Sequence, residues 1–207
     1  MHDQSSRMAR LVDDLLSLSR IELDEHTQPT GSVDVLRCVG AAVAAFELKA
    51  AARRVRLRVI ADDGLPMVTG DADQLAQVMQ NLISNAIKYT SEQSEVTVTI
   101  TRADSAGVGG MVLAPTMVLA GRRSSRPAPH MISIAVADLG DGIARIHLPR
   151  LTERFYRVDP ARSRALGGTG LGLAIVKHIL SRHRGRLTID SDTGRGSTFT
   201  VWLPVAG

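Results

Sequence analysis

One stretch of the chain, QVMQNLISNAIKYT at residues 77–90, combines side chains that could hold a metal ion and phosphate groups. At about 100° per residue, a helix here would separate a polar stripe from an apolar face. The stripe consists of Gln77, Asn81, Asn85 and Lys88, with Tyr89 at its edge. Amide oxygens can ligate Mg²⁺, and a lysine can add a positive charge against the same phosphates. Taken alone, the stripe is equally compatible with a solvated helix face.

Two glycine-rich segments favour the nucleotide interpretation. The segment ISIAVADLGDGI at 132–143 places Asp138 at the end of an apolar strand, before a Gly-Asp-Gly turn. The segment GGTGLGLAIVKHIL at 167–180 places glycines directly before an apolar helix. Glycines let the backbone approach a ligand closely, and the N–H groups of a helix start bind anions. A lone glycine-rich loop is weak evidence, but the three segments in this order predict a nucleotide site.

In this order the segments resemble the ATP-binding catalytic region of bacterial sensor histidine kinases, within the superfamily shared with gyrase, mismatch-repair and heat-shock-chaperone ATPases. LTERFYRVD at 151–159 is similar to the kinases' phenylalanine box. DTGRGSTFTVWLP at 192–204 is similar to their closing glycine motif and final strand. The resemblance covers nearly all of the chain and is strongest for the phosphate-regulon sensor kinases.

The resemblance implies a role for each polar residue of the site. Asn85 would ligate Mg²⁺, with Asn81 beside it on the same helix face. Lys88 and Tyr89 would line the phosphate and nucleoside side of the pocket. Asp138 would accept a hydrogen bond from the adenine amino group, which favours adenine because a buried carboxylate facing a carbonyl would be left unpaired.

The resemblance also implies a lid over residues 144–167, with Phe155 as its apolar anchor. Arg157 would reach the γ-phosphate or the acceptor, so the implied catalytic set is Asn81, Lys88 and Arg157. Two glycine-rich turns would complete the cofactor-binding set. In the turn after Asp138, Gly140 and Gly142 would leave room for the adenine. In the second turn, the hinge and helix start of the lid would be formed by Gly168, Gly170, Leu171 and Gly172.

One position bears on the type of reaction. ATP-hydrolysing members of the superfamily carry a glutamate base four residues before the Mg²⁺ asparagine, where this chain has Asn81. Asparagine cannot act as a base, whereas an imidazole acceptor is already a nucleophile. The resemblance therefore implies donation of the ATP γ-phosphoryl group to a histidine. A nucleotide-binding regulatory module without transfer activity is the alternative.

Composition limits the other classes of function. The net charge is +4, but the arginines are scattered and only three Phe and two Tyr are available for stacking on bases, so we expect no nucleic-acid partner. The single cysteine, Cys38, excludes an internal disulfide. No run of about 18 apolar residues exists, which predicts a cytoplasmic location. Because kinases of this type are usually anchored in the bacterial inner membrane, we expect the chain to be a fragment.

Residues 1–26 are predicted to form one long amphipathic helix. Met8, Leu11, Leu15 and Leu18 recur at spacings of three and four, so this stripe needs a partner helix from the same chain or from a second subunit. The segment resembles the second helix of the dimerisation and histidine-phosphotransfer hairpin. The acceptor histidine is then expected upstream of Met1. The implied partners are that acceptor hairpin, a response regulator and a second subunit in a homodimer.

The remaining chain is predicted to be a linker at 27–32 and a catalytic domain at 33–207. We expect an α/β two-layer sandwich, a mixed sheet of about five strands with three helices on one face, preceded by the long helix. Residues 103–130 form an insertion far longer than an ordinary hairpin loop of about 2–5 residues. Its two MVL segments suggest a short extra hairpin. The expected elements are strands at 32–35, 54–61, 94–102 and 131–138, and helices at 36–52 and from Asp71.

Overall fold

The computed structural model describes residues 2–23, 27–104, 111–112 and 130–206. Its helices are α1 (His2–Leu23), α2 (Val35–Ala52), α3 (Ala72–Tyr89), α4 (Pro160–Ala165) and α5 (Gly172–Arg182), with a 3₁₀ helix at Arg145–Arg150. Its strands are β1 (Ser32–Val33), β2 (Arg56–Ala61), β3 (Val68–Thr69), β4 (Glu95–Asp104), β5 (Met111–Val112), β6 (His130–Asp138), β7 (Arg186–Asp192) and β8 (Gly196–Pro204).

The main sheet is mixed, as predicted. Its order is β2-β4-β6-β8-β7-β5, in which β2 and β4 are parallel and the other neighbours are antiparallel. Five strands form the body of the sheet, and the two-residue β5 adds a sixth at the edge. Strands β1 and β3 pair separately as a two-stranded ribbon. The predicted pairing of the strands at 94–102 and 131–138 is confirmed by the β4–β6 ladder.

Helices α2, α3 and α5 form the second layer of the sandwich. The apolar face predicted for α3 is buried, with Leu82, Ile83 and Ile87 in the core. Ile175 and Ile179 of α5 are buried in the same cluster. Aliphatic side chains dominate this core, in keeping with the low aromatic content. The predicted α/β fold class, with its three helices packed on a mixed sheet, is confirmed.

Two local predictions differ from the structure. The strand predicted at 32–35 ends at Val33, because Asp34 caps α2 by accepting a hydrogen bond from the Arg37 N–H at 3.0 Å. In the insertion, Met111–Val112 pairs with Thr188 and Ile189 of β7. The predicted partner of this segment, the second MVL at 117–119, lies outside the described residues.

The long N-terminal helix packs on α5, but only with part of its apolar stripe. Leu18 and Ile21 are buried in the core cluster, whereas Met8 is 71% exposed. A polar contact also joins α1 to α3, where the Gln77 amide donates to Ser17 Oγ at 2.8 Å. Within the described ranges, no helix is both long enough and apolar enough to cross a membrane.

Candidate active site

A cavity of about 460 Å³ opens between α3, the lid and the start of α5. Most of the residues predicted for the site line it. They are Asn81, Asn85, Lys88, Tyr89, Asp138, Gly142, Arg157, Gly168, Gly170 and Gly172. The structure therefore brings the three predicted segments together around one space. Gly140 and Leu171 do not line the cavity.

Helix α3 is fixed at both ends. Asp71 caps its start by accepting the N–H groups of Asp73 and Gln74 at 3.0 and 3.1 Å, as predicted. Arg53, which follows α2, donates to the carbonyl oxygens of Ile87 and Lys88 at its other end. These carbonyls have no partner within a helix, and a cation also complements the helix dipole there. The turn that carries Lys88 is thus held in place by α2.

The two asparagines of the stripe have different surroundings. The Asn81 amide donates to the Gln77 carbonyl at 3.0 Å, and a Cβ on Gly172 would lie 2.6 Å from Asn81 Oδ1. Asn81 thus packs tightly against the start of α5. The Asn85 side chain makes no hydrogen bond to any described residue, although it lines the cavity. Its amide oxygen is available for a ligand.

The donor set around Asn85 fits Mg²⁺ bound together with phosphates. Among the described residues, no group of three His, Cys, Asp or Glu side chains could hold a metal ion. Mg²⁺ commonly uses one or two protein oxygens and takes its other ligands from phosphates and water. One free amide oxygen beside a cavity is consistent with that pattern.

Asp138 presents a buried carboxylate to the cavity. The residue is 7% exposed, and its Oδ1 accepts the Gly140 N–H at 2.9 Å. Burial raises the pKa of Asp138, and the backbone N–H groups of Gly140 and Ser197 partly oppose that rise. The carboxylate is therefore held in one orientation at a cost in desolvation, which a matching hydrogen-bond donor would offset.

The glycines after Asp138 are required by the packing of the chain on itself. A Cβ on Gly140 would overlap the Tyr89 carbonyl oxygen, and Gly140 pairs with Thr90 in an isolated bridge. Gly142 has a φ of +69°, and a Cβ there would overlap the Asp192 carbonyl. Clearance for adenine stays a prediction for Gly142. It also stays a prediction for Gly140, which does not line the cavity and packs against Tyr89 and Thr90.

Leu171, also predicted for the cofactor-binding set, does not line the cavity. Its side chain is fully buried in the core, and its N–H donates to Thr169 Oγ1 at 3.3 Å. The Gly168 N–H donates to the Ser163 carbonyl at 2.8 Å. Both N–H groups have protein partners in this structure, and the part of both residues in cofactor binding stays a prediction.

The lid is anchored by different residues from the one predicted. Phe155 is 52% exposed and has a φ of +62°, so its role as apolar anchor is wrong for this structure. Leu148 and Leu151 join the core cluster instead. The Phe155 N–H donates to the Gly170 carbonyl at 2.8 Å, and a Cβ on Gly170 would lie 2.9 Å from Phe155 Cα. This close contact joins the lid to the glycine-rich turn.

Arg157 and Tyr156 face the cavity from the lid. Arg157 Nη2 donates to the Gly168 carbonyl at 2.7 Å, next to the predicted phosphate side. The Tyr156 hydroxyl is hydrogen-bonded to His147 Nδ1 at 2.7 Å, and the Arg150 guanidinium lies 4.3 Å from the centre of its ring. Tyr156 was not among the predicted site residues, although it lies inside the phenylalanine-box segment.

Four further cavity residues come from α1 and α2, which the sequence motifs did not include. These residues are Arg10, Asp14, Phe46 and Lys49. Arg10 Nη1 donates to the Gly167 carbonyl at 3.2 Å, and the Thr169 hydroxyl donates to Asp14 Oδ2 at 2.7 Å. Lys49 Nζ lies 5.5 Å from the centre of the Phe46 ring. No local pattern marks these positions, because they reach the cavity only through helix packing.

Lys88 is the most perturbed cation of the site. Burial, together with the charges of Lys49 and Arg10, lowers its pKa from 10.5 to about 8, while the charge of Asp14 opposes this shift. A buried amine with this pKa is only partly protonated near neutral to mildly basic pH. An anion in the cavity would restore its charge.

Comparison with known proteins places this site in a family. Residues 70–207 match the family described as histidine kinase-, DNA gyrase B- and HSP90-like ATPases. The chain is 37% identical over 201 residues to the sensor-like histidine kinase SenX3 of Mycolicibacterium smegmatis, covering 97% of this chain and 46% of that protein. It is 37% identical over 202 residues to the phosphate regulon sensor protein PhoR of Pseudomonas aeruginosa. This match covers 97% of this chain and 39% of PhoR.

Solved structures show the same fold. Full-length ShkA in complex with AMPPNP superposes with a TM-score of 0.75 at 24% identity, covering 98% of this chain and 37% of that one. The Acinetobacter baumannii histidine kinase AdeS has a TM-score of 0.68 at 21% identity. The match covers 99% of this chain and 81% of the AdeS chain.

The chain belongs to the histidine kinase-, DNA gyrase B- and HSP90-like ATPase family. The resemblance to sensor histidine kinases is confirmed by relatives of that name along nearly the whole chain. Membership of an ATPase family implies that the domain binds ATP. The chain spans less than half the length of these two curated relatives.

Proposed function

We propose that this chain is the ATP-binding catalytic part of a two-component sensor histidine kinase. It donates the γ-phosphoryl group of ATP to a histidine outside its own six histidines. One observation carries the proposal: a single cavity connects the buried Asp138 carboxylate with Lys88, the free Asn85 amide and the glycine-rich turn. Asp138 matches the adenine, Lys88 and Asn85 match the metal-bound phosphates, and the glycine-rich turn matches the rest of the polyphosphate.

At the base end, Asp138 accepts a hydrogen bond from the adenine amino group. This contact offsets the cost of burying the carboxylate, which a guanine carbonyl could not do. At the phosphate end, Asn85 supplies an amide oxygen to Mg²⁺, and bound Mg²⁺ neutralises phosphate charge and orients the γ-phosphoryl group. Lys88 of α3 and Arg157 of the lid both line the cavity and face the phosphates.

Asn81 supports phosphoryl transfer rather than hydrolysis. Its amide is committed to Gln77 and its oxygen lies against Gly172, so it holds α5 in place and offers no base to water. An imidazole nitrogen needs no such base, because it attacks the γ-phosphorus as a neutral nucleophile. The new bond joins that nitrogen to phosphorus, the bond to the bridging oxygen breaks, and ADP leaves with the electron pair.

The exposed part of the α1 stripe supports a helical partner. Met8, Val12 and Leu16 remain exposed while Leu18 and Ile21 pack on the core. A second subunit and the acceptor hairpin are the proposed occupants of this stripe, and a response regulator is the proposed recipient of the phosphoryl group.

The proposal is tested with γ-labelled ATP and a supplied acceptor hairpin from a related kinase. We expect acid-labile label on the hairpin and none on this chain alone, because none of its six histidines has the sequence context of an acceptor. Binding of ATP without transfer to any acceptor would instead indicate a regulatory nucleotide module. Label on the isolated chain would require an acceptor among its own histidines.

We also expect ATP binding to take up a proton at Lys88. The groups that act on its charge are Lys49, Arg10 and Asp14, and bound phosphates add several negative charges beside it. The pKa of Lys88 then rises from about 8 toward its ordinary value. The amine is half protonated at pH 8 before ATP binds, so the uptake there is about half a proton, and it becomes small at pH 6.5 because the amine is already protonated. Calorimetry in buffers of different ionisation enthalpy measures the uptake. Lys88→Met should remove it, and equal uptake in that variant would contradict the assignment.

A further inference from the structure

Three positively charged side chains from three different helices meet along the cavity wall. Arg10 comes from α1, Lys49 from α2 and Lys88 from α3, and all three line the cavity. Burial is the main cause that lowers the pKa of both lysines. The charges of Lys49 and Arg10 add to the effect on Lys88, and the charge of Arg10 adds to the effect on Lys49. The three charges therefore lie within electrostatic reach of one another.

The two lysines of this cation cluster (Arg10, Lys49 and Lys88) lack a carboxylate partner at ion-pair distance among the described residues. Asp14 is the carboxylate that opposes the effect on Lys88, and it also accepts a hydrogen bond from Thr169. Like charges in a partly buried site repel one another, so the three side chains of the cluster disfavour each other's charged forms.

The cluster lies beside the glycine-rich turn. Arg10 Nη1 donates to the Gly167 carbonyl at 3.2 Å, and a Cβ on Gly167 would lie 3.1 Å from the same nitrogen. Lys88 follows Asn85 by one turn of α3. The cation cluster therefore lies on the side where the phosphates are expected.

We propose that Arg10 and Lys49 bind the polyphosphate of ATP, so that α1 and α2 supply a part of the nucleotide site lying outside the family segment 70–207. The inference rests on the proposed function and adds two phosphate-binding residues to it. A guanidinium can bind two phosphate oxygens at once, and an ammonium adds a compact charge. A polyphosphate offsets the repulsion within the cation cluster, which a nucleoside cannot do.

A consequence concerns the position of α1. Arg10 reaches the cavity only while α1 is packed on α5, so nucleotide binding and this packing stabilise each other. The helix is then a component of the site rather than a neighbour of it.

The test compares affinities for ATP-Mg²⁺ and for AMP in Arg10→Gln and Lys49→Met. Glutamine keeps a donor for the Gly167 carbonyl while removing the charge, and methionine keeps an apolar stem against Phe46. Each variant should bind ATP-Mg²⁺ about tenfold more weakly, with a much smaller change for AMP. Arg20→Gln on α1 and Lys177→Met on α5 are matched controls, because neither residue lines the cavity.

The outcomes separate this inference from the proposed function. If the parent chain prefers ATP to AMP and Arg10→Gln and Lys49→Met bind ATP-Mg²⁺ as the parent does, the phosphate contacts are wrong and the proposed function stands. If ATP and AMP lose equal affinity in Arg10→Gln, the residue acts only through the packing of α1, which also overturns the inference. A parent chain that binds no ATP would refute the proposed function itself.

Discussion

Replacing Asn85 with alanine should abolish Mg²⁺-dependent nucleotide binding and leave the fold intact. The variant loses an amide oxygen that lines the cavity on a side chain without a hydrogen bond to any described residue, while the buried face of α3 is unchanged. A metal–phosphate site depends on each of its few protein ligands. We therefore expect the affinity for ATP-Mg²⁺ to fall by more than tenfold, or about 1.4 kcal/mol. Calorimetric titration with ATP in the presence and absence of Mg²⁺ measures it.

Gln80→Ala is the matched control. Gln80 lies on the same helix and carries the same amide group, but it is exposed and does not line the cavity. Both variants should unfold at nearly the same temperature as the parent. If Asn85→Ala binds ATP-Mg²⁺ with the parent's affinity, the polar stripe is a solvated helix face and Asn85 is not a metal ligand.

Replacing Asp138 with asparagine should weaken ATP binding by about 1–3 kcal/mol, the cost of impairing a buried hydrogen bond to a charged group. The preference for ATP over GTP should fall as well, because an amide N–H can donate to a guanine carbonyl. The ligand-free protein should be no less stable at neutral pH. Burial raises the pKa of Asp138, so its ionised form lowers the stability of the folded state above the ordinary pKa of the group.

Titrations with ATP and GTP test the predicted change in affinity, and thermal unfolding without ligand tests the predicted stability of the variant. Asp190→Asn is the control, because Asp190 is an exposed carboxylate on β7, away from the cavity. Equal affinities of the parent for ATP and GTP would remove Asp138 from the adenine site. A large drop in the unfolding temperature of Asp138→Asn would show that the carboxylate has a structural role instead.

The parts of the site carried by local patterns could be predicted from the sequence. The spacing of Asn81, Asn85 and Lys88 determines one helix face, and the burial of the opposite face follows from the same periodicity. Asp71 as a helix cap and Asp138 at a strand end depend on their immediate neighbours. These predictions needed no knowledge of which helix packs on which.

Other features depend on contacts between distant parts of the chain. Arg10 and Lys49 reach the cavity because α1 packs on α5 and α2 packs on α3, which no motif around either residue reveals. A glycine pattern indicates a position where the backbone closely approaches another group, but it does not show whether that group is a ligand or another part of the chain. For Gly140 that neighbour is the Tyr89 carbonyl. Phe155 occupies the position expected for a lid anchor, but its left-handed backbone leaves the ring half exposed.

The hydrogen bond between Phe155 and Gly170 makes the stretch between them a closed loop. A segment whose ends are joined samples far fewer conformations than an open one of equal length, because the entropy of bringing the ends together has already been lost. Any rearrangement of this loop beside the cavity is then confined to residues 156–169. Such a loop resembles an Ω-loop, a compact surface loop whose ends lie close together. Ordering it on a ligand would cost less entropy than ordering an open segment of equal length.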